Sequence, residues 1–215
     1  MTPEEFVEKN PWLSIPASDY EAHMGPRGTD QDPVLNKFFE KVYSSRRPAR
    51  LVVFGCGTGN GFEHIDHTIT ERAVGVDLNC RYLEIARRRY THLAQTIEFE
   101  CSDICSCDFE PGSFDLIHCP LIFEYVQIEP MLIKIADCLS SRGTFSVVLQ
   151  LPSSEDGVVS DTGHESVKAL EKAFRPVDPE KFVEQCSNVG FSKNNCQVIQ
   201  LQRGKSFFMC TFEKS

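Results

Sequence analysis

The strongest constraint in this chain is a run in which every other residue is glycine, Gly55-Cys-Gly-Thr-Gly-Asn-Gly61, directly after Arg50-Leu-Val-Val-Phe54. A short β-branched apolar stretch stopped by glycines reads as a buried parallel strand. Glycine adopts backbone conformations closed to other residues, so main chain here can run against a ligand with no side chain between. Ligands of open α/β sheets sit at this place, beyond the carboxyl ends of the strands. Two phosphate-binding loops fail on register. No Gly-Lys-Ser/Thr closes the run, which excludes a P-loop, and the third glycine of a dinucleotide fingerprint begun at Gly55 would fall on Asn60. The spacing favours a ligand without a pyrophosphate.

The rest of the chain alternates strand and helix patterns. Ala73–Asp77, Thr96–Cys101, Phe114–Cys119 and Thr144–Gln150 read as further strands. A helix is expected to start at Phe62–Ile65, another carries Tyr82, Leu83, Ile85, Ala86 and Arg89, and a third spans Met131–Leu139 before a turn at Ser140–Gly143. Such alternation implies an α/β fold with a mostly parallel sheet. From Ser153 to Gly163 the chain is polar and turn-rich, then His164–Phe174 reads as a helix, together an insertion over one sheet edge. Asp178 and Pro179 open a helix that Gly190 closes. Gln197–Leu201 and Ser206–Phe212, joined across Gln202–Lys205, form an expected antiparallel hairpin.

Charge narrows the partners. Lys and Arg number 22 against 31 Asp and Glu, a net charge of −9 that repels phosphate backbones. DNA is excluded as a partner, RNA would need a local basic groove, and Arg87-Arg88-Arg89 reads as a solvated helix face. No apolar run nears the roughly 18 residues of a membrane span. The acidic opening Met1–Asn10 lacks a signal-peptide layout, so a cytoplasmic location and reduced thiols at the 10 cysteines are expected. Cys101, Cys105 and Cys107 match no zinc spacing, and no metal is expected.

Asp77 ends the second strand 22 residues beyond Gly55, where a carboxylate can accept hydrogen bonds from both hydroxyls of a ribose. Asp103 follows the third strand at the same sheet edge, positioned to receive an adenine amino group while the Ile104 N–H donates to the ring.

At these residues the chain resembles the class I S-adenosylmethionine-dependent methyltransferases. The likeness covers residues 36–151: Val53–Gly59, Gly75–Leu78, Ser102–Ile104, Ser113–Ile117 and Leu139–Phe145 resemble successive family motifs, with Ser141-Arg142 departing from the usual Pro-Gly of the last. The resemblance implies a Rossmann-like α/β/α sandwich whose mostly parallel seven-stranded sheet has an antiparallel last strand. It implies one domain: residues 1–35 as a lid, 36–151 as cofactor core, 152–178 as a variable insertion and 179–215 as a terminal helix and hairpin. Carried over by position, Gly55, Cys56, Gly57, Thr58, Gly59 and Asn60 would line the methionine and ribose of S-adenosylmethionine. Asp77 would hold the ribose, Leu78 flank the adenine, Asp103 and Ile104 read its edge, and Pro120 and Leu121 lie near the sulfonium.

Methyl transfer rests mainly on holding a nucleophile in line with the sulfonium, with a base only where the acceptor carries a proton to lose. Tyr20, His23 and Glu124 are the candidate catalytic side chains, and Tyr125 stands where many relatives have histidine. His118, inside an apolar strand, reads as a core histidine. Cys119-Pro-Leu-Ile-Phe123 differs from the Asn/Asp-Pro-Pro-Tyr/Phe of enzymes methylating DNA bases or glutamine amides. The expected reaction is methylation of an O, N or C atom of a small molecule. Its pocket would be built from residues 12–30, the stretch after Pro120 and 152–178, with Trp12, Tyr20, Phe123 and Tyr125 as apolar walls. The alternatives are a cofactor-binding module without turnover, a protein or RNA methyltransferase, and a nicotinamide-dependent oxidoreductase.

Overall fold

The structure, a computed structural model, describes residues 10–152, 157–201 and 204–214. Met1–Lys9, the start of the polar insertion at 153–156, and Gln202 and Arg203 of the hairpin connection lie outside the described residues.

The elements run α1 (Ala17–Met24), α2 (Gln31–Arg46), β1 (Arg50–Phe54), β2 (Arg72–Asp77), α3 (Cys80–Arg89), β3 (Ile97–Cys101) and β4 (Phe114–Pro120). They continue as α4 (Ile128–Cys138), β5 (Leu139–Leu151), α5 (Glu165–Lys168), α6 (Pro179–Asn188), β6 (Phe191–Gln200) and β7 (Ser206–Lys214). One sheet holds all seven strands in the order β3-β2-β1-β4-β5-β7-β6. β1 to β5 pair in parallel, and β7 lies antiparallel between β5 and β6, as the hairpin pattern requires.

Alternation along each central strand divides the core into two layers. Val52 and Phe54 of β1 face one side with Phe145, Phe182 and Phe212, under α4 and α6. Leu51 and Val53 face the other with Leu35, Phe38, Phe39 and Leu83, under α2 and α3. On α2 the buried residues recur at helical spacing, and Arg47 in the left-handed region ends it before Pro48. Asp178 caps α6 by accepting from the Glu180 and Lys181 N–H groups.

Several elements differ from the sequence expectation. The helix expected from Phe62 is one 3-10 turn, Phe62–His64, with Glu63 accepting the Gly61 N–H and Ile65 already extended. Ser140–Gly143 does not form a separate turn but belongs to β5, where Arg142 has φ 63° and the β4–β5 register shifts between Phe114 and Leu116. The helix expected over His164–Phe174 breaks into α5 and a 3-10 turn, Ala169–Lys172. Its buried residues, Val167 and Leu170, stand three apart, a spacing that tighter winding brings onto one side.

The expectation of ten reduced cysteines is also corrected. Cys196 and Cys210 face each other across β6 and β7 and are disulfide-bonded, and Cys80 at the start of α3 is bonded to Cys101 at the end of β3. The first pair depends on the register of the hairpin and the second on the start of α3 meeting the end of β3, which spacing alone does not reveal. Six cysteines are free. Titration of unfolded, unreduced protein with a thiol reagent is therefore expected to count six thiols, rising to 10 after reduction. A count of ten before reduction would exclude both bridges.

Candidate functional site

Strand order reverses between β1 and β4, and the loops leaving their carboxyl ends part to opposite sides. Here the glycine run opens a cavity of about 430 Å³. The Gly55 and Cys56 N–H groups donate to the Val76 carbonyl at 2.8 and 3.1 Å, tying the loop to the end of β2. Gly55 (φ 72°) and Gly57 (φ 55°) then turn through the left-handed region. Asp77 organises the turn: its Oδ2 accepts the Gly57 N–H and its Oδ1 the Asn79 N–H, each at 2.8 Å. Burial nevertheless pushes the Asp77 carboxyl above its ordinary range, against the lowering effect of those two donors.

Ten of the twelve residues assigned to the cofactor from sequence line this cavity. Gly55, Cys56, Gly57 and Asn60 come from the loop, Asp77 and Leu78 from the end of β2, Asp103 and Ile104 from beyond β3, and Pro120 and Leu121 from the end of β4. Thr58 and Gly59 do not. The Thr58 hydroxyl donates to Glu21 at 2.6 Å, and Glu21 is also paired with Arg89 at 2.7 Å. A Cβ on Gly59 would lie 2.7 Å from the Tyr90 ring, so this glycine serves packing against the end of α3.

The candidate catalytic residues converge on the same space. Tyr20 lies over the loop, its hydroxyl 3.1 Å from where a Cβ on Gly57 would stand, and its ring stacks on Tyr82 at 5.2 Å. His23 is buried, with Nδ1 2.8 Å from the Thr162 hydroxyl; burial first, then the charges of Lys205 and His164, lowers its pKa to about 4. Glu124 is 1% exposed, and its Oε1 accepts the Gln150 N–H at 2.6 Å. Burial raises its carboxyl to about 7. His118 also lines the cavity, tied to the Ser146 hydroxyl at 3.0 Å and pushed down to about 3 by burial.

Above the sheet edge Trp12, Tyr20 and Tyr125 pack against Ile15, Val159, Val167 and Leu170, which joins the N-terminal segment to the insertion. Phe123 is not a wall of the cavity. It is 1% exposed and packs edge-on against Phe182 at 4.7 Å, whereas its neighbour Glu124 lines the cavity. Sequence reasoning passed over Asp32, Gln150 and Lys205, which also line the cavity. Asp32, which burial and then Glu21 push up to about 7, reads in sequence as an ordinary first-turn acid. Gln150 and Lys205 meet only because β7 returns beside β5, although both donate to the Val158 carbonyl.

The residues present fit an adenosyl ligand better than a dinucleotide. A dinucleotide pyrophosphate rests on a helix N-terminus after the glycine loop, whereas only a three-residue 3-10 turn follows Gly61 here. Paired carboxylates at the ends of β2 and β3, with a glycine backbone beside them, suit a ribose, an adenine edge and a cationic sulfur.

Residues 52–143 match a family model described as a methyltransferase domain. Over that span, somewhat under half of the chain, the sequence is similar to this family. The matched span contains the glycine loop, Asp77, Asp103 and Glu124, while Tyr20, His23 and the terminal hairpin lie outside it. The chain is 28% identical over 99 residues to phosphoethanolamine N-methyltransferase 1 of Arabidopsis thaliana, covering 46% of the chain and 20% of that relative. It thus spans about a fifth of the length of that curated relative. Among solved structures it resembles phosphoethanolamine N-methyltransferase 2 of Haemonchus contortus, bound to phosphomonomethylethanolamine and S-adenosylhomocysteine. That likeness has a TM-score of 0.72 at 15% identity and covers all of this chain and 60% of that one. Geranyl diphosphate C-methyltransferase of Streptomyces coelicolor superposes with a TM-score of 0.69 at 11% identity, covering 100% of this chain and 98% of that one. At these identities the structural likenesses establish the fold. Among the described residues no helix is long and apolar enough to cross a membrane.

Proposed function

We propose that this chain transfers the methyl group of S-adenosylmethionine to a small molecule bound between residues 10–35 and the 157–178 part of the insertion. The observation that carries the reading is that Gly57, Asp77 and Asp103 share one cavity with Tyr20, His23 and Glu124, so donor and acceptor groups face a common space. S-adenosylmethionine supplies an electrophilic methyl group. The chain's own part is to hold the ribose on Asp77, orient the adenine at Asp103 and Ile104, and aim an acceptor at the sulfonium from the β4 side. A cavity of about 430 Å³ lined by several carboxylates supports a small acceptor over RNA. The relatives named above act on both nitrogen and carbon, which is consistent with a shared donor site and divergent acceptor sites.

Calorimetric titration with S-adenosylmethionine, S-adenosylhomocysteine and NAD tests the reading. Micromolar binding of both adenosyl ligands and none of NAD is the expected result. Failure of folded protein to bind either adenosyl ligand would overturn it, and binding without methyl transfer to any acceptor would favour a module without turnover.

A further inference from the structure

Glu124 is the feature that cofactor recognition leaves unexplained. Its Oε2 is the one buried side-chain polar atom among the described residues with no hydrogen-bond partner, although Oε1 is satisfied by the Gln150 N–H at 2.6 Å. A buried carboxylate oxygen left without a donor is costly, and such atoms in a cavity wall mark a position that a ligand completes.

The sheet order places this oxygen on the acceptor side. Asp77 and Asp103 follow β2 and β3, on one flank of β1, whereas Glu124 follows β4 and is tied to β5 on the other flank. Rings surround the approach: Trp12 lies edge-on to Tyr125 at 5.2 Å and to Tyr20 at 6.2 Å, and Tyr125 meets Phe174 at 5.9 Å. All four rings line the cavity. The charge of the lining also has a sign. Four carboxylates, Asp32, Asp77, Asp103 and Glu124, face it with Lys205 and the exposed Arg175, while His23 and His118 are both held neutral by burial.

We propose that the acceptor is an amine, bound as its ammonium with one N–H on Glu124 Oε2 and its carbon framework among Trp12, Tyr20 and Tyr125. A hydroxyl satisfies the same oxygen with one neutral hydrogen bond. An ammonium adds charge to the hydrogen bond and an attraction to the ring faces. Glu124, which burial raises to about 7, is also poised to accept a proton near neutrality. The ammonium passes one proton to Glu124, and the freed nitrogen lone pair forms the N–C bond as the C–S bond breaks. The electron pair of that bond stays on sulfur, which becomes a neutral thioether. The product leaves as the methylated ammonium, and Glu124 releases its proton to water.

This inference rests on the methyltransferase reading but has a separate test. Matched pairs, benzylamine with benzyl alcohol and 2-phenylethylamine with 2-phenylethanol, are titrated at pH 7.5 into wild type and Glu124→Gln, with and without S-adenosylhomocysteine. Each amine is expected to bind at least about tenfold tighter than its alcohol in wild type. Glu124→Gln, whose amide oxygen still accepts from Gln150, should erase that preference and leave S-adenosylhomocysteine affinity within about threefold. Equal binding of amine and alcohol to wild type overturns the proposal even if the variant fails to fold, and so does an amine preference that survives in Glu124→Gln. An equal loss of S-adenosylhomocysteine affinity in the variant overturns it too, by assigning Glu124 to the donor's own ammonium. A Glu124-dependent amine preference without S-adenosylhomocysteine binding supports the amine site and removes the methyltransferase reading; the reverse pattern removes only the amine.

Discussion

Asp77→Ala is expected to weaken S-adenosylhomocysteine binding by about 100-fold or more, the largest loss from any single change in the donor site. Two hydroxyl hydrogen bonds to a charged acceptor are together worth about 3–6 kcal/mol. A further cost comes from the loop itself, since both Asp77 oxygens already hold backbone N–H groups, of Gly57 and of Asn79. Without them the left-handed turn at Gly57 loses its anchor and the backbone that would face the ligand is no longer fixed. Asp77→Asn separates the two contributions. Its amide oxygen can still take the Gly57 N–H, so the loop should persist while the charge is lost, and an intermediate affinity is expected by calorimetry. If Asp77→Ala binds within about threefold of wild type, Asp77 is a loop-shaping residue and the ribose assignment is wrong.

The half of the cavity proposed for the donor was legible as a cluster in the sequence because it is local. A glycine run after a buried strand and an acid at the end of the next one need only the strand pattern to be placed, and Gly57 and Asp77 do meet across 2.8 Å. Thr58 and Gly59 show the limit of that logic. They share the motif, yet Glu21 and Tyr90 claim them from outside it, and neither contact has a sequence signature. The half proposed for the acceptor is assembled from long-range neighbours. Gln150 reaches Glu124 because β4 and β5 are adjacent, Lys205 arrives on the returning hairpin, and His23 meets Thr162 from the insertion. The disulfides belong to the same class, since Cys80 and Cys101 come together only once β2 and β3 are in register. The missing helix after Gly61 is different. Its apolar residues fit a helix, but Phe62 is drawn into the core between Phe39, Tyr90 and Phe99 and the chain extends at once.

Phe123→Ala should produce the largest loss of stability among residues near the site, about 3–5 kcal/mol, the range for truncating a fully buried phenylalanine. The ring is 1% exposed and sits edge-on to Phe182 at 4.7 Å and to Phe145 at 6.0 Å, in the layer beneath α4 and α6. Truncation leaves a cavity there, and the neighbouring rings are themselves packed on Phe191 and Phe212, so little collapse into it is available. Phe123 also directly precedes Glu124, so its packing in this layer helps fix the turn that carries the carboxylate. Urea unfolding should show the destabilisation. In the still-folded protein, S-adenosylhomocysteine affinity should change little while any amine preference weakens. A wall residue would behave in the opposite way, with near-normal stability and altered binding of bulky acceptors. That outcome would restore Phe123 to the cavity lining and remove the packing argument for the orientation of Glu124.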